Sequence, residues 1–243
     1  MKPTPPGAQP DPAPGAVPRL PGLPPLAWQP LGPPQARLGL YVVDDPDALL
    51  DGMDDASFQA SDERMPYWAL LWPSGEALAR HVLEARGLSG KRVLDLGCGV
   101  APEGLAAARQ GARVTCLDWA PEPEPLVRLS AERLGVSLER FVVADWRTPP
   151  AGLGTFDLVL GADVLYEARN AEPVAAFLAE HLAHSGEAWL ADPGRLHARD
   201  FPAVAARAGL VLRERQPLLC ADPEAQVTLW RYARAGGAAA PAV

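Results

Sequence analysis

Short apolar runs alternate with longer amphipathic ones along most of this chain. Leu38–Val43 is a first strand-length run, and the acidic stretch 44–62 behind it reads as a loop. From residue 92 the alternation becomes regular. Arg92–Leu96, Arg113–Asp118 and residues 140–144, 156–161 and 187–191 are strand-length runs rich in Val, Leu and Ala, with glycines or polar residues between them. They predict buried strands. Between them lie helical patterns at about 74–85, 102–110, 124–134, 172–184 and 200–208. Ser74 and Asp200 stand where helix caps belong, and Gly87, Gly135 and Gly209 where helices stop. In the 172–184 helix, Val174, Phe177, Leu178 and Leu182 share one face. Strands alternating with helices predict an α/β fold: a seven-stranded, mostly parallel sheet with helices on both faces. The last two runs, 210–216 and 226–232, have no helix between them, so they predict a C-terminal antiparallel hairpin.

The first 35 residues break the pattern. They hold nearly half of the chain's 28 prolines and little apolar periodicity, which predicts a disordered, Pro-rich tail over 1–35. One domain would span 36–235, with 236–243 a frayed tail. The tail lacks the apolar run of a secretory leader, and no stretch approaches the about 20 apolar residues of a membrane span. The formal net charge is −8, which argues against nucleic acid as a partner. Cys98, Cys116 and Cys220 are odd in number and lack disulfide or zinc spacing, and His81, His181, His184 and His197 form no metal pattern. The expectation is therefore a cytoplasmic protein without membrane or metal. Lys2 and Lys91 are the only lysines. With abundant Ala, Pro and Gly, this suggests a GC-rich, bacterial coding sequence.

Candidate chemistry gathers at the strand ends, where ligands of such sheets bind. The first regular strand runs through Asp95 into Gly97 and Gly99, and a helix follows. Glycines there let a ligand approach the backbone and reach free helix N–H groups. The other strands end at Asp118-Trp119, Asp145-Trp146, Ala162-Asp163-Val164-Leu165-Tyr166 and Asp192-Pro193-Gly194-Arg195. Any single Asp of this kind can be a turn former, but five along one edge exceed what capping alone explains. Ahead of the first strand, Tyr67, Trp68 and Trp72 lie within six residues. Trp68 reads as core and Trp72 as a pocket wall.

Asp118 follows the glycine turn by about twenty residues, the spacing of a carboxylate that takes both hydroxyls of a ribose. A dinucleotide loop would want a third glycine and no charge beside its diphosphate. Pro102 and the acidic Glu103 stand there instead. A cofactor with a cationic end suits them better, which favours S-adenosylmethionine over a nicotinamide dinucleotide.

The run 93–99, followed by Asp118, Asp145-Trp146 and 156–166, resembles the class I S-adenosylmethionine-dependent methyltransferases, whose fold is Rossmann-like. More narrowly, 67–75, Asp145-Trp146 and the Asp163-Val164-Leu165-Tyr166 stretch resemble the protein-lysine methyltransferase group. That group includes electron-transfer-flavoprotein β-subunit lysine methyltransferases and nicotinamide N-methyltransferase-like bacterial proteins. The resemblance implies S-adenosyl-L-methionine as cofactor. Its methionine part would lie on Gly97 and Gly99, with Asp95 attracting its ammonium through water. It further implies Asp118 at the ribose, Trp119 beside the adenine, Asp145 at the adenine amino group, Trp146 over the ring, and Trp72 and Ala162 around the cofactor. Asp163 and Tyr166 would be the catalytic pair at the acceptor, with Tyr67 lining a channel for a lysine stem. Arg195 stands open between a substrate contact and a loop ion pair. Ala101-Pro102 replaces a frequent third glycine of the loop. A protein lysine is the expected acceptor. The alternatives are a small-molecule N- or O-methyltransferase and a non-catalytic adenosylmethionine-binding module.

Overall fold

Arg92–Leu96 forms the strand expected of it, and the sheet grows outward from it in both directions. The computed structural model describes residues 17–32, 38–51 and 66–237. In chain order the elements are β1 (Leu26–Leu31), β2 (Leu38–Val43), α1 (Asp47–Asp51), a 3-10 turn (Tyr67–Ala69), α2 (Pro73–Glu84), β3 (Arg92–Leu96), α3 (Pro102–Arg109), β4 (Arg113–Asp118), α4 (Pro123–Leu134), β5 (Arg140–Val143), β6 (Phe156–Ala162), α5 (Ala171–His181), β7 (Leu182–Asp192), α6 (Phe201–Arg207), β8 (Leu210–Leu218) and β9 (Val227–Arg234). The main sheet has seven strands in the order β5-β4-β3-β6-β7-β9-β8. The first four pairings are parallel, while β9 runs antiparallel to both neighbours. The fold class read from the sequence is the one observed.

Successive residues of a strand face opposite sides of the sheet, and the core divides accordingly. Val93, Val114, Cys116, Leu158 and Leu160 face α2, α3 and α4 together with the β1–β2 ribbon. Leu94, Leu96, Leu117 and Val159 face α5 and α6, where Phe177 and Phe201 are fully enclosed. Central strands buried on both faces lack polar alternation, which is why they read as continuous apolar runs.

The N-terminal boundary at residue 35 needs correction. Leu26–Leu31 is a strand paired antiparallel with β2, from Leu26 opposite Val43 to Leu31 opposite Leu38. Leu26 and Leu31 are buried in the core. The ribbon is fastened to α4. Ser130 Oγ accepts a hydrogen bond from the Tyr41 N–H at 2.8 Å, and Arg133 donates to the Tyr41 hydroxyl at 2.9 Å. The Arg133 guanidinium also lies 4.1 Å from the centre of a Trp28 ring, a cation–π contact. Proline-rich flanks hid this strand. Of the expected tails, residues 1–16, 33–35 and 238–243 lie outside the described part.

Other differences are local. Within the expected acidic loop, α1 forms after Asp45, whose Oδ1 accepts the Asp47 N–H; residues 52–65 lie outside the described part. Helix α5 stops at His181 rather than 184, because Leu182 already pairs with Phe156 as the first residue of β7. Leu182 still joins the same apolar core, from the strand instead of the helix. His181 Nδ1 meets the Gly154 carbonyl at 2.8 Å, so this histidine serves the fold. Ser74 does not cap α2. Trp72 occupies the cap position, and Ser74 lies buried one turn-position inside with its hydroxyl unpartnered. Asp200 precedes α6 without a side-chain cap bond. No helix among the described residues is long and apolar enough to cross a membrane.

Because Leu31 is 1 % exposed, Leu31→Ala removes core contacts and leaves a void. Urea denaturation is expected to show a loss of about 2–4 kcal/mol. A change within about 0.5 kcal/mol would mean that the β1–β2 ribbon contributes nothing to the domain.

Candidate active site

A cavity of about 460 Å³ lies beyond the carboxyl ends of β3, β4 and β6. Its floor is the Gly97–Val100 turn, Asp118 and Trp119 form one side, and the Ala162–Val164 segment with Tyr166 forms another. The residues from Tyr67 to Trp72 close over it, and Gly75 of α2 with Pro102 and Glu103 of α3 completes the wall. The volume suits a small organic ligand.

The floor depends on missing side chains. Gly97 has φ +64°, and a Cβ there would come within 2.9 Å of the Trp146 ring. Gly99 has φ +49°, and its Cβ would lie 3.1 Å from the Trp68 carbonyl oxygen. Ala101, where a third glycine often stands, itself adopts the left-handed conformation (φ 57°, ψ 47°). The turn is hung from β4: the N–H groups of Gly97 and Cys98 donate to the Leu117 carbonyl at 2.8 and 3.1 Å. Asp118 Oδ2 accepts the Gly99 N–H at 2.8 Å, and its Oδ1 accepts the Ala120 N–H at 2.9 Å. Burial raises the Asp118 carboxyl above the usual range, and these main-chain bonds oppose the rise. Each carboxylate oxygen accepts more than one bond, so Asp118 can hold the turn and still face a ligand.

The five strand-end acids part company here. Asp118 and Asp163 line the cavity. Asp95 does not: it is wholly buried beneath the floor, where its Oδ2 accepts the Gly104 N–H at 2.9 Å. The acid on the wall in that region is Glu103, and Asp95, expected to attract the ligand's ammonium through water, lies behind it. Asp145 is not among the residues that line the cavity; its carboxylate takes the Arg147 main-chain N–H and guanidinium, each at 2.7 Å, and so shapes its own turn. Asp192 holds the Gly194 and Arg195 N–H groups at 2.7 and 2.9 Å. It thereby sets the loop that carries Arg195.

Trp146 is buried with its ring against Gly97 and its indole Nε1 unpartnered, while Trp119 is 40 % exposed at the rim. Both line the cavity, as do Trp72, Gly97, Gly99 and Ala162. At the mouth, Tyr67 stands 6.1 Å from Trp72 and 6.2 Å from Tyr166 between ring centres. Trp72 Nε1 donates to the Tyr67 carbonyl at 3.0 Å, which fixes the indole. Asp163, held at φ 55°, receives both prongs of Arg195: Nε to Oδ1 at 2.8 Å and Nη2 to Oδ2 at 2.6 Å. The same guanidinium lies 5.7 Å from the Trp72 ring centre. Arg195 is thus an ion-pair partner of Asp163 and also lines the cavity. Burial lifts the Tyr166 phenol above its ordinary value, so it stays protonated at neutral pH.

Sequence reasoning left Trp68, Leu71, Cys98, Val100, Glu103, Val164 and Glu167 out of the site, yet they line it. Trp68 packs partly on the core as expected and also borders the cavity. For Glu103 the signal was present, a charge in the first helical turn beside the glycine loop. Among the described residues no three His, Cys, Asp or Glu side chains group as a metal site.

The residues fit S-adenosylmethionine. The bare turn admits close backbone approach, Asp118 faces the cavity, the walls are aromatic, and acids lie where a cation would need them. Burial pushes Asp95 up to about 8, with the Gly104 bond opposing and the Asp118 charge adding; Glu103 is raised well above the usual range by burial and then by Asp95. The folded protein therefore binds protons that the unfolded chain, with carboxyl values of about 4, has released. The stability these acids confer is complete below about pH 4 and is lost as pH rises through about 8. The urea midpoint of the ligand-free protein is expected to fall between pH 5 and 8.5, and less so in Glu103→Gln. Parallel pH profiles for the two proteins would contradict this.

Comparison with known proteins agrees with the geometry. Residues 93–186 match the family model described as a methyltransferase domain. The electron transfer flavoprotein beta subunit lysine methyltransferase of Xenopus laevis is 32% identical over 158 residues, 63% of this chain and 59% of that protein. A ubiquinone biosynthesis O-methyltransferase of Methylocella silvestris is 40% identical over 91 residues, 37% of this chain and 35% of that protein. The chain thus spans less than two thirds of the length of these relatives. Magnesium protoporphyrin IX methyltransferase from Synechocystis PCC 6803, solved with bound SAM, superposes with a TM-score of 0.57 at 18% identity, covering 79% of this chain and 90% of that one. The resemblance read from the glycine turn and the strand ends therefore stands: residues 93–186 are a methyltransferase domain, set in the fold of the S-adenosylmethionine-dependent methyltransferases.

Proposed function

We propose that this chain transfers a methyl group from S-adenosylmethionine to the side-chain amine of a protein lysine. The observation that carries the reading is the mouth of the cavity. Asp163 stands there beside Trp72, Tyr67 and Tyr166, and it already holds a cation, the Arg195 guanidinium, over an aromatic face. A carboxylate with aromatic neighbours is the chemistry that receives an amine on a narrow apolar stem. The sequence similarity to lysine methyltransferases supports the same acceptor.

When bound, the cofactor supplies a methyl group on a sulfonium, which is already a good leaving group. The protein's work is positioning and exclusion of water. Gly97 and Gly99 form the floor; Asp118 would accept the ribose hydroxyls, Trp119 and Trp146 would lie by the base, and Trp72 and Ala162 would complete the surround. At the mouth, the acceptor must present a neutral nitrogen, so a lysine ammonium, with a free pKa of about 10.4, gives its proton to solvent on entry, and S-adenosylhomocysteine leaves once the methyl has passed. The apolar walls disfavour the ammonium form. Asp163 accepts a hydrogen bond from the amine and orients its lone pair, sharing its oxygens with Arg195 or exchanging one prong of it. Tyr166 and Tyr67 hold the stem.

A small-molecule acceptor is the second reading, favoured by the O-methyltransferase similarity and by a guanidinium at the mouth suited to an acidic compound. Tritiated-methyl transfer into lysate proteins and, separately, into the small-molecule fraction decides between them. Label is expected on protein lysines; label confined to small molecules would overturn the first reading. Within it, Asp163→Asn preserves the left-handed backbone, which Asn tolerates. It is expected to lower kcat by about 10²-fold while leaving S-adenosylhomocysteine affinity within about twofold. Full turnover by this variant would remove Asp163 from the mechanism.

A further inference from the structure

Two carboxylate oxygens, one at the cavity wall and one beneath the floor, lack a hydrogen-bond partner. Asp95 Oδ1 and Glu103 Oε2 are both buried and accept no hydrogen bond. Such acceptors are rare in folded proteins, and each asks for an explanation. The two residues differ in position. Asp95 lies under the floor, tied by its other oxygen to the Gly104 N–H. Glu103 borders the cavity from the first turn of α3 while remaining only 2 % exposed. Across from it α2 presents Gly75, where a Cβ would lie 3.5 Å from Glu103 Oε2 and 3.1 Å from Pro102 Cγ. The missing side chain leaves room beside the unpartnered oxygen at the edge of the cavity.

The surroundings of the pair are acidic or neutral. β3 contributes Asp95 itself, and β4 contributes Asp118 and the Cys116 thiol. The turn contributes the Cys98 thiol, and α2 contributes Gly75. Burial and the nearby acids keep both thiols protonated. Among the described residues no cation figures in the groups that act on Asp95 or Glu103. Two carboxylates so close in a dry site cannot both ionise without a counter-charge.

We propose that Glu103 is the counter-charge for the cationic methionine end of the cofactor, and that the Glu103–Asp95 pair holds a proton in the free protein and releases it to solvent as that cation enters. The exchange balances: one positive charge comes in, one leaves, and no bond of the ligand changes. It rests on the adenosylmethionine reading and adds to it a residue outside the glycine turn. It also couples cofactor affinity to pH. Below the pair's titration, binding strengthens up to tenfold for each unit by which pH rises.

Isothermal titration calorimetry with S-adenosylmethionine at pH 7, in buffers of different ionisation enthalpy, counts the protons directly. The wild-type protein is expected to release about one proton per ligand. Glu103→Gln, which keeps the shape of the side chain, is expected to release less than half of one and to bind with an affinity nearly flat between pH 6 and 8. Thermal melting reports whether the variant is folded. Should it not fold, Asp95→Asn interrogates the same pair, with the same expected loss of release. Buffer-independent enthalpy in the wild-type protein overturns the proposal, and so does unchanged proton release in folded variants. Failure of the wild-type protein to bind S-adenosylmethionine at all would instead overturn the cofactor reading on which it rests.

Discussion

The hydrogen bond from the Gly99 N–H to Asp118 Oδ2, beside those of Gly97 and Cys98 to the Leu117 carbonyl, ties the end of β4 to the turn that ends β3. The rest of the cavity takes its shape from that tie. With the turn held down, Trp146 can lie against the bare Cα of Gly97, and the Trp68 backbone can pass over Gly99. The free end of α3 then faces the same space as the ends of β4 and β6. Asp118 accepts at both oxygens, so one side chain aligns two strand ends while remaining on the wall. The rest of the sheet serves to deliver these ends to one edge.

Along that edge the acids divide their labour. Asp145 and Asp192 shape their own loops, Asp118 shapes the turn and faces the cavity, and Asp163 faces the mouth under the grip of Arg195. Asp95 sits behind the wall and Glu103 on it, and burial favours the neutral form of each. The loop set by Asp192 carries Arg195 back to Asp163, so the ends of β6 and β7 are joined through side chains across the mouth.

The fold was largely legible because its central strands are buried on both faces. Between their ends Arg92–Leu96 and Arg113–Asp118 each carry a single polar residue, the buried Asp95 and Thr115, and Gly97 marks where the first stops. Leu26–Leu31 was not legible, since prolines on both sides of it mimic the composition of a tail, and its partners on α4 are about a hundred residues away. The end of α5 was missed because Leu182 is apolar in phase with the helix and in phase with the strand alike. In the site, sequence order named the strand ends correctly but not which lone pairs remain free. Asp145 and Asp118 stand at equivalent strand ends, yet the first turns to Arg147, two residues on, and away from the cavity lining, while the second reaches across to the Gly99 N–H and lines it. Orientation of that kind depends on where the neighbouring donors fall, and spacing does not record it.

Ala101 carries a further meaning. A glycine at that point would wander among many backbone conformations in the absence of ligand. Alanine in the left-handed region is strained by about 1–2 kcal/mol, and it stays there because Leu105, Pro102 and the Cys98 carbonyl fix the chain on both sides. Such a loop has little conformational entropy left to surrender when a ligand arrives. The departure from the usual glycine pattern therefore amounts to preorganisation: the strain is met once, on folding, and not again at each round of binding.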